Sequence, residues 1–190
     1  MPFLPEPDRR ALLDLARRAI THSVLLQKPP EDIPNEGIFA EKRGAFVTIH
    51  LRGRLRGCIG IVEAYGPLGM VIVHCAAGAA LHDPRFPPVH ADEVDHLQIE
   101  ISLLSPLEPI RAEQVEIGKH GLLIAQNGRR GLLLPQVAVE HKLTREQFLE
   151  ETCRKAGVPP KAWQDPSTEI CGFTCEVFSE ESFARHGLVP

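Results

Sequence analysis

The dipeptide Asn127-Gly128 constrains the fold more than any other short stretch of the chain. It separates two apolar runs in the segment GLLIAQNGRRGLLL, residues 121–134. Asn and Gly readily adopt the left-handed backbone conformations of a two-residue turn, so this pattern predicts a β-hairpin. A second hairpin is predicted over residues 45–61, AFVTIHLRGRLRGCIGI. Antiparallel pairing is therefore expected at two places in the chain.

The sequence allows two strand-pairing registers for the second hairpin. If residues 52–53 form the whole turn, Val47 faces Cys58, whereas a three-residue turn pairs Thr48 with Cys58. A shift of one residue exchanges the face that each side chain meets. In both registers Arg56 and Cys58 are expected on the same face, because strand side chains alternate with a period of two.

Helices and further strands are predicted around the hairpins from apolar spacing and from end signals. The predicted helices run from the capping residue Asp8 to about Leu26, from Pro67 to about His82, and from the capping box Thr144/Gln147 to Ala156. Further strands are predicted over residues 97–104 and 169–178. Hairpins mixed with helices, without a βαβ rhythm, predict an α+β fold with a mainly antiparallel sheet flanked by helices.

Length and charge limit the classes of protein that fit this chain. The 190 residues suit a single domain with room for a smaller second lobe. The formal net charge of -4 and the 5% aromatic share disfavour a nucleic-acid surface. No apolar run reaches the roughly 18 residues of a membrane span, and the N-terminus lacks the pattern of a signal peptide. We therefore expect a cytoplasmic protein that makes no membrane contact.

The cysteines and the missing motifs limit the chemistry. The five cysteines are odd in number and include no CxxC pair. A disulfide framework is therefore not expected, and the spacing does not match a structural zinc site. The chain also lacks GxGxxG, Walker A, GxSxG and HExxH patterns. We predict no metal site and no cofactor.

The segment RLRGCIGI, residues 54–61, holds the first candidate site. Gly57 and Gly60 remove side chains where a ligand or another backbone could approach closely. Arg56 could bind an anion or stabilise a thiolate, and Cys58 could act as a nucleophile or a redox thiol. The alternative is that Cys58 is a small apolar residue that fills a strand, as buried free cysteines commonly do.

Other residues could complete this site. A thiol nucleophile needs a base, for which His120 is preferred, with His50, His74 and His82 as alternatives. The stiff loop DPRFPP, residues 83–88, could present Arg85 to an anion, or Asp83 and Arg85 could simply pair with each other. Glu100 is a candidate acid or base, and Gln136 a candidate ligand-binding amide.

Several segments of the chain resemble those of the AMMECR1 domain family and occur in the same order. They are LRGCIG at 55–60, DPRFPP at 83–88, IEISLLSP at 99–106, RRGLLLPQVAVE at 129–140 and FLEETCRKAG at 148–157, followed by Trp163. The resemblance covers about residues 8–180 and implies a single AMMECR1-type domain over residues 1–190. It further implies a larger lobe built from both chain ends and a smaller lobe built from part of the middle.

The family has no firmly established biochemical activity. The resemblance to protein A of the AmmeMemoRadiSam system implies partnership with a Memo-like protein and a radical-SAM protein. The first hypothesis is an enzyme or enzyme component with an Arg/Cys site that takes an unknown small-molecule or peptide ligand. The second is a non-catalytic binding module for a ligand or a protein. A weaker third hypothesis is RNA binding through the arginines Arg52, Arg54, Arg56, Arg129 and Arg130.

Overall fold

The computed structural model describes residues 4–184, with side chains to residue 182. These residues divide into two compact units. The smaller unit is Ser105–Cys175, and the larger unit combines the chain before Ser105 with the chain after Cys175.

The two units contain the following helices and strands. The strands are β1 (Ala45–Leu51), β2 (Arg54–Ile61), β3 (Leu97–Leu104), β4 (Glu108–Pro109), β5 (Gly121–Gln126), β6 (Arg129–Leu133), β7 (Glu169–Phe173) and β8 (Cys175–Ser179). The α-helices are α1 (Glu6–Thr21), α2 (Leu68–Leu81), α3 (Pro135–Glu140), α4 (Arg145–Lys155) and α5 (Glu180–Ala184). A π-helical turn, His22–Leu26, follows α1 directly.

The larger unit is built on a four-stranded sheet in the order β2-β1-β3-β8. Alternation along β1 and β3 sends Val47, Ile49, Ile99 and Ile101 into the core that α1 and α2 complete. The opposite side of the same strands carries the half-buried residues Phe46, Thr48, His50, Gln98 and Glu100, and the buried Ser102. We call this side the polar face of the sheet.

The smaller unit is built on a second four-stranded sheet in the order β4-β7-β5-β6. Its core includes Ile124 from β5 and Phe148, Leu149 and Cys153 from α4. Helix α4 lies close to β6 because Gly131 has no side chain: a Cβ there would lie 2.1 Å from the backbone nitrogen of Ala156. This contact fixes the helix against the edge strand.

The predicted α+β class and both hairpins are confirmed. The capping box that opens α4 is confirmed as well: Thr144 Oγ1 accepts the backbone N–H of Gln147, and Gln147 accepts that of Thr144. Among the described residues, no helix combines the length and apolar character that crossing a bilayer requires.

Two local predictions are wrong, and one short helix was missed. Helix α1 begins at Glu6 after Pro5, so Asp8 lies in its first turn and does not cap it, because Pro5 already fixes the backbone at the start. Residues 169–178 form two strands in different sheets, since the ladder breaks at Thr174. The short helix α3, residues 135–140, was not predicted; it opens with Pro135, because proline suits a first helical turn.

Candidate functional site

The register of the β1–β2 hairpin combines the two predicted alternatives. Leu51 pairs with Arg54, as a two-residue turn predicts, yet Cys58 lies opposite Thr48. The two pairings coexist because a β-bulge leaves Arg56 without a partner on β1. Alternation is interrupted at a bulge, so the period-two argument that put Arg56 and Cys58 on one face does not hold.

Cys58 lies half-buried on the polar face of the sheet. Thr48 Oγ1 donates a hydrogen bond to Cys58 Sγ over 3.2 Å. The backbone N–H and C=O of Cys58 bind elsewhere, so Thr48 and Cys58 form the kind of antiparallel pair whose side chains approach most closely. The thiol therefore has a polar neighbour and is not enclosed by apolar packing.

Asp83 and Arg85 clamp the free edge of β2 at Cys58. Asp83 Oδ2 accepts the backbone N–H of Cys58 over 2.9 Å, and Arg85 Nη2 donates to the carbonyl of Cys58 over 3.4 Å. Asp83 also accepts the backbone N–H of Arg85 and its guanidinium, at 3.1 Å and 2.7–3.0 Å. These side chains satisfy edge groups that would otherwise pair with another strand.

The two members of this clamp differ in exposure. The Asp83 side chain is 2% exposed, and the hydrogen bonds from Arg85 hold its pKa well below the usual range of a carboxyl. The Arg85 side chain is 55% exposed and stacks over Phe86, with 5.4 Å between Cζ and the ring centroid. Asp83 therefore orients a guanidinium that solvent can still reach.

The buried Arg56 is committed to an ion pair with the half-buried Glu93. Its Nε and Nη2 each donate to the carboxylate of Glu93 over 2.9 Å, and its guanidinium also donates to the carbonyls of Pro87 and Pro88 over 2.7 and 3.1 Å. The Arg56 hydrogen bonds lower the pKa of Glu93 to about 2, and those of Glu93 raise the pKa of Arg56. This pair fastens the DPRFPP loop to β2.

Both glycines of the signature segment have packing partners. A Cβ on Gly57 would lie 2.1 Å from the carbonyl oxygen of Ala79, so this glycine lets α2 approach β2. A Cβ on Gly60 would lie 2.1 Å from the ring of Phe46, which covers that position. Close backbone and ring packing therefore accounts for both glycines.

Further polar and ionisable side chains lie near Cys58 on the polar face. Thr48 pairs with Cys58 on one side and with Glu100 on the other, which puts the Cα atoms of Cys58 and Glu100 about 10 Å apart. His50 is two residues along β1 from Thr48, so it is a diagonal neighbour of Cys58. His50, Gln98 and Glu100 line a cavity of about 220 Å³.

His120 and Gln136 belong to the smaller unit. His120 Nδ1 accepts the backbone N–H of Glu116 over 3.0 Å, and burial lowers the pKa of His120. It lines a cavity of about 470 Å³. Gln136 Nε2 lies 4.0 Å from Cys175 Sγ, while its Oε1 is buried without a hydrogen-bond partner in the described part of the chain.

The candidate residues thus fall into two groups. The larger unit holds Arg56, Gly57, Cys58, Gly60, Asp83, Arg85 and Glu100, and the smaller unit holds His120 and Gln136. Sequence reasoning missed Glu93, because it lies 37 positions after Arg56 and no local signal indicates their pairing. It weighed His50 only as an alternative base, since the face that His50 shares with Cys58 depends on the bulge.

Comparisons with known proteins give a consistent match over most of the chain. The sequence model of the AMMECR1 family matches residues 13–178. A protein of Methanothermobacter thermautotrophicus is 40% identical over 188 residues, covering 94% of this chain and 97% of its own, and Protein TK0174 of Thermococcus kodakarensis is 44% identical over 184 residues, covering 90% and 89%. The crystal structure of the uncharacterized protein PH0010 from Pyrococcus horikoshii is 41% identical, with a TM-score of 0.77 and 90% of each chain covered. This chain therefore belongs to the AMMECR1 family.

Proposed function

We propose that Cys58 is the reactive thiol of an enzyme or enzyme component. The observation that carries this proposal is the hydrogen bond from Thr48 to a half-buried Cys58 Sγ on the polar face of the sheet. A packing cysteine is enclosed by apolar groups, whereas a reacting thiolate has hydroxyl or cationic neighbours. Arg85, fixed to the backbone of the same residue, supplies the cation.

The surrounding residues take separate roles in this proposal. His50 is the base that accepts the thiol proton, because it shares the polar face with Cys58, and Glu100 is a second acid or base on that face. Arg85 binds an anionic group of the substrate with its exposed guanidinium. Asp83 and Arg56 are positioning residues that hold the strand and the loop.

The remaining candidates keep predicted roles. His120 stays a predicted base, and Gln136 a predicted ligand-binding amide, within the smaller unit. Gly57 and Gly60 keep their predicted place beside the ligand, in addition to the packing that requires them. The geometry favours His50 over His120 as the partner of Cys58 because His50 and Cys58 lie on neighbouring strands.

We further propose that the protein acts in the cytoplasm with a Memo-like and a radical-SAM protein. Membership of the AMMECR1 family supports the partnership, and the five free cysteines support a reducing compartment. A pull-down with each partner tests it, using Cys58→Ser to separate assembly from chemistry. We expect both the native protein and the variant to form the complex. Failure of both partners to bind the native protein contradicts the partnership.

A binding module without catalysis is the second candidate function. It is favoured by the fact that Arg56, Gly57 and Gly60 each have a structural partner, so the signature segment can be explained by packing. In that case Arg85 recognises an anion, and the thiol is a bystander. Partner or ligand binding that persists in Cys58→Ser, together with an inert Cys58, identifies this function.

Alkylation of the native protein by iodoacetamide, followed by mass spectrometry, tests the thiol proposal without a known substrate. We expect Thr48→Val and His50→Gln each to slow the alkylation of Cys58 at pH 7 by severalfold, because they remove its hydroxyl neighbour and its base. The matched control is His96→Gln, an exposed histidine of the same unit away from the polar face. Equal rates in all four proteins contradict the assigned roles of Thr48 and His50.

A further inference from the structure

A cavity of about 880 Å³ lies beside α2 in the larger unit. Its wall is mainly apolar and includes Val24, Ile33, Ile59, Val73 and Leu81. The volume falls within the roughly 300–1,000 Å³ of pockets that bind small molecules, which are also mostly apolar with a few polar groups. Ile59 follows Cys58 on β2 and faces α2, so this cavity is separate from the polar face.

The π-helical turn after α1 shapes one side of the cavity. Ser23, Val24 and Gln27 come from this turn and the residue that ends it, and all three line the cavity. Gln27 has φ 54°, a left-handed conformation that non-glycine residues adopt uncommonly. Single π-helical turns are rare and frequently occur at functional sites. The local backbone is thus unusual where the wall is formed.

The polar groups of the wall are hydrogen-bond donors or basic side chains. Lys28, His74 and His82 line the cavity, and no aspartate or glutamate is among the described residues that do so. Lys28 Nζ lies 2.7 Å from Glu31, but this ion pair is exposed and therefore weak, and the ammonium group has further hydrogens to donate. The wall therefore offers an anionic group several hydrogen-bond donors and, among the described lining residues, no carboxylate that would repel it.

We infer that this cavity binds an amphiphilic anion, a molecule with a largely apolar body and one carboxylate or phosphate group. The apolar wall takes the body, and Lys28, His74 and His82 take the anionic end. The inference is independent of the thiol proposal, since none of its residues lies on the polar face. It assigns the larger unit a second binding site on the α2 side of β2.

Calorimetric titration below the micelle concentration tests this inference with five probes. We expect decanoate and decyl phosphate to bind one per chain, decanol to bind at least fivefold more weakly, and decyltrimethylammonium to show no saturable binding. The first two probes distinguish a carboxylate from a phosphate ligand. Octanoate should bind about fifteenfold more weakly than decanoate, because it lacks two methylenes and each buried methylene contributes about 0.8 kcal/mol, or about fourfold. Equal binding of anion, alcohol and cation would overturn the inference.

Two kinds of variant locate the binding. Ala77→Phe, at a half-buried position of α2, fills the cavity and should abolish binding of decanoate and decanol alike. His74→Glu should weaken decanoate at least tenfold more than His74→Gln does, while leaving decanol unchanged, because position 74 is exposed and tolerates both side chains. Val139→Gln, at an exposed apolar residue of the smaller unit, is the control for binding elsewhere.

The variants also give the results that would contradict the assignment. Circular dichroism and a thermal melt establish that each variant is folded. Decanoate binding that survives Ala77→Phe in a folded protein, or that is lost in Val139→Gln, would overturn the site. Association with anionic vesicles in the absence of saturable decanoate binding would assign the apolar wall to a membrane surface and overturn it as well.

Discussion

At the scale of single residues, two ion pairs hold the candidate site. Asp83 with Arg85 fixes the edge of β2, and Arg56 with Glu93 fixes the loop that follows α2. Sequence reasoning predicted the first pair as one of two alternatives, because its members are two residues apart in a stiff loop. It missed the second, since only the folded chain brings Glu93 to Arg56.

Replacement of Glu93 by glutamine should destabilise the protein by about 3 kcal/mol at pH 7, because it leaves the buried Arg56 without its counter-charge. The pKa of Glu93 is lowered to about 2, so its contribution is complete above the unfolded value of about 4.3 and is lost as the pH falls through about 2. Urea unfolding of both proteins from pH 7 to pH 2.5 measures this difference.

The exposed pair Lys28–Glu31 offers a matched control for that prediction. Glu31→Gln should change the free energy of unfolding by less than about 1 kcal/mol at any pH, because exposed ion pairs contribute little. The Arg56 pair does not stabilise the fold if Glu93→Gln lowers the free energy of unfolding no more than Glu31→Gln does. The same conclusion follows if the loss caused by Glu93→Gln increases at acid pH.

Gly57→Ala should destabilise the protein by about 3 kcal/mol or more, because its Cβ would overlap the backbone carbonyl of Ala79. Gly66→Ala is the control, since nothing lies within 4 Å of a Cβ there and its φ is not positive. We expect the control to be neutral or slightly stabilising. Thermal melts of both variants check this, and similar melting temperatures would refute the close approach of α2 and β2.

At the scale of elements, local sequence signals predicted turns and helix ends well, but they predicted the interruptions of β-strands poorly. Asn127-Gly128 and the Thr144/Gln147 box specify structure within a few residues, and both are found. The bulge at Arg56 and the break at Thr174 have no such signal. The bulge coincides with the side-chain bonds of Arg56 to Glu93 and the loop, which are distant in sequence and cannot be read from an alternating pattern.

Thr144→Ala should cost about 1 kcal/mol of stability, because it removes the side-chain oxygen that accepts the N–H of Gln147 at the start of α4. Thr144→Ser keeps that oxygen and should recover most of the loss. Urea denaturation of the two variants measures the difference. If serine proves no better than alanine, the methyl group of Thr144, not the cap, supports the helix.

At the scale of the whole molecule, the chain builds two sheets with separate apolar cores. The order of predicted hairpins and helices indicated the α+β class, because these elements are recognised from patterns along the chain. They did not predict that 169–178 would divide between the sheets, since β7 and β8 look like one continuous apolar strand. Which sheet a strand joins depends on partners such as β3 and β5, which are distant in sequence.

Phe148→Ala should remove about 3–5 kcal/mol from the smaller unit, because Phe148 is fully buried there. Since cooperative units open with their own free energies, native-state hydrogen exchange should show this loss at amides of β5, β6 and α4. Amides of β1 and β3 should keep most of their protection. An equal loss in both sheets would mean that the two cores unfold as one cooperative unit.

The measurement that tests the central claim most directly compares the alkylation rate of Cys58 in the native and the urea-unfolded protein at pH 7. A reactive site predicts that Cys58 reacts faster in the native protein than in the unfolded chain. Cys175, the other half-buried cysteine of the described chain, should react more slowly when native. Native Cys58 that reacts more slowly than the unfolded thiol would contradict the claim and assign Cys58 to packing.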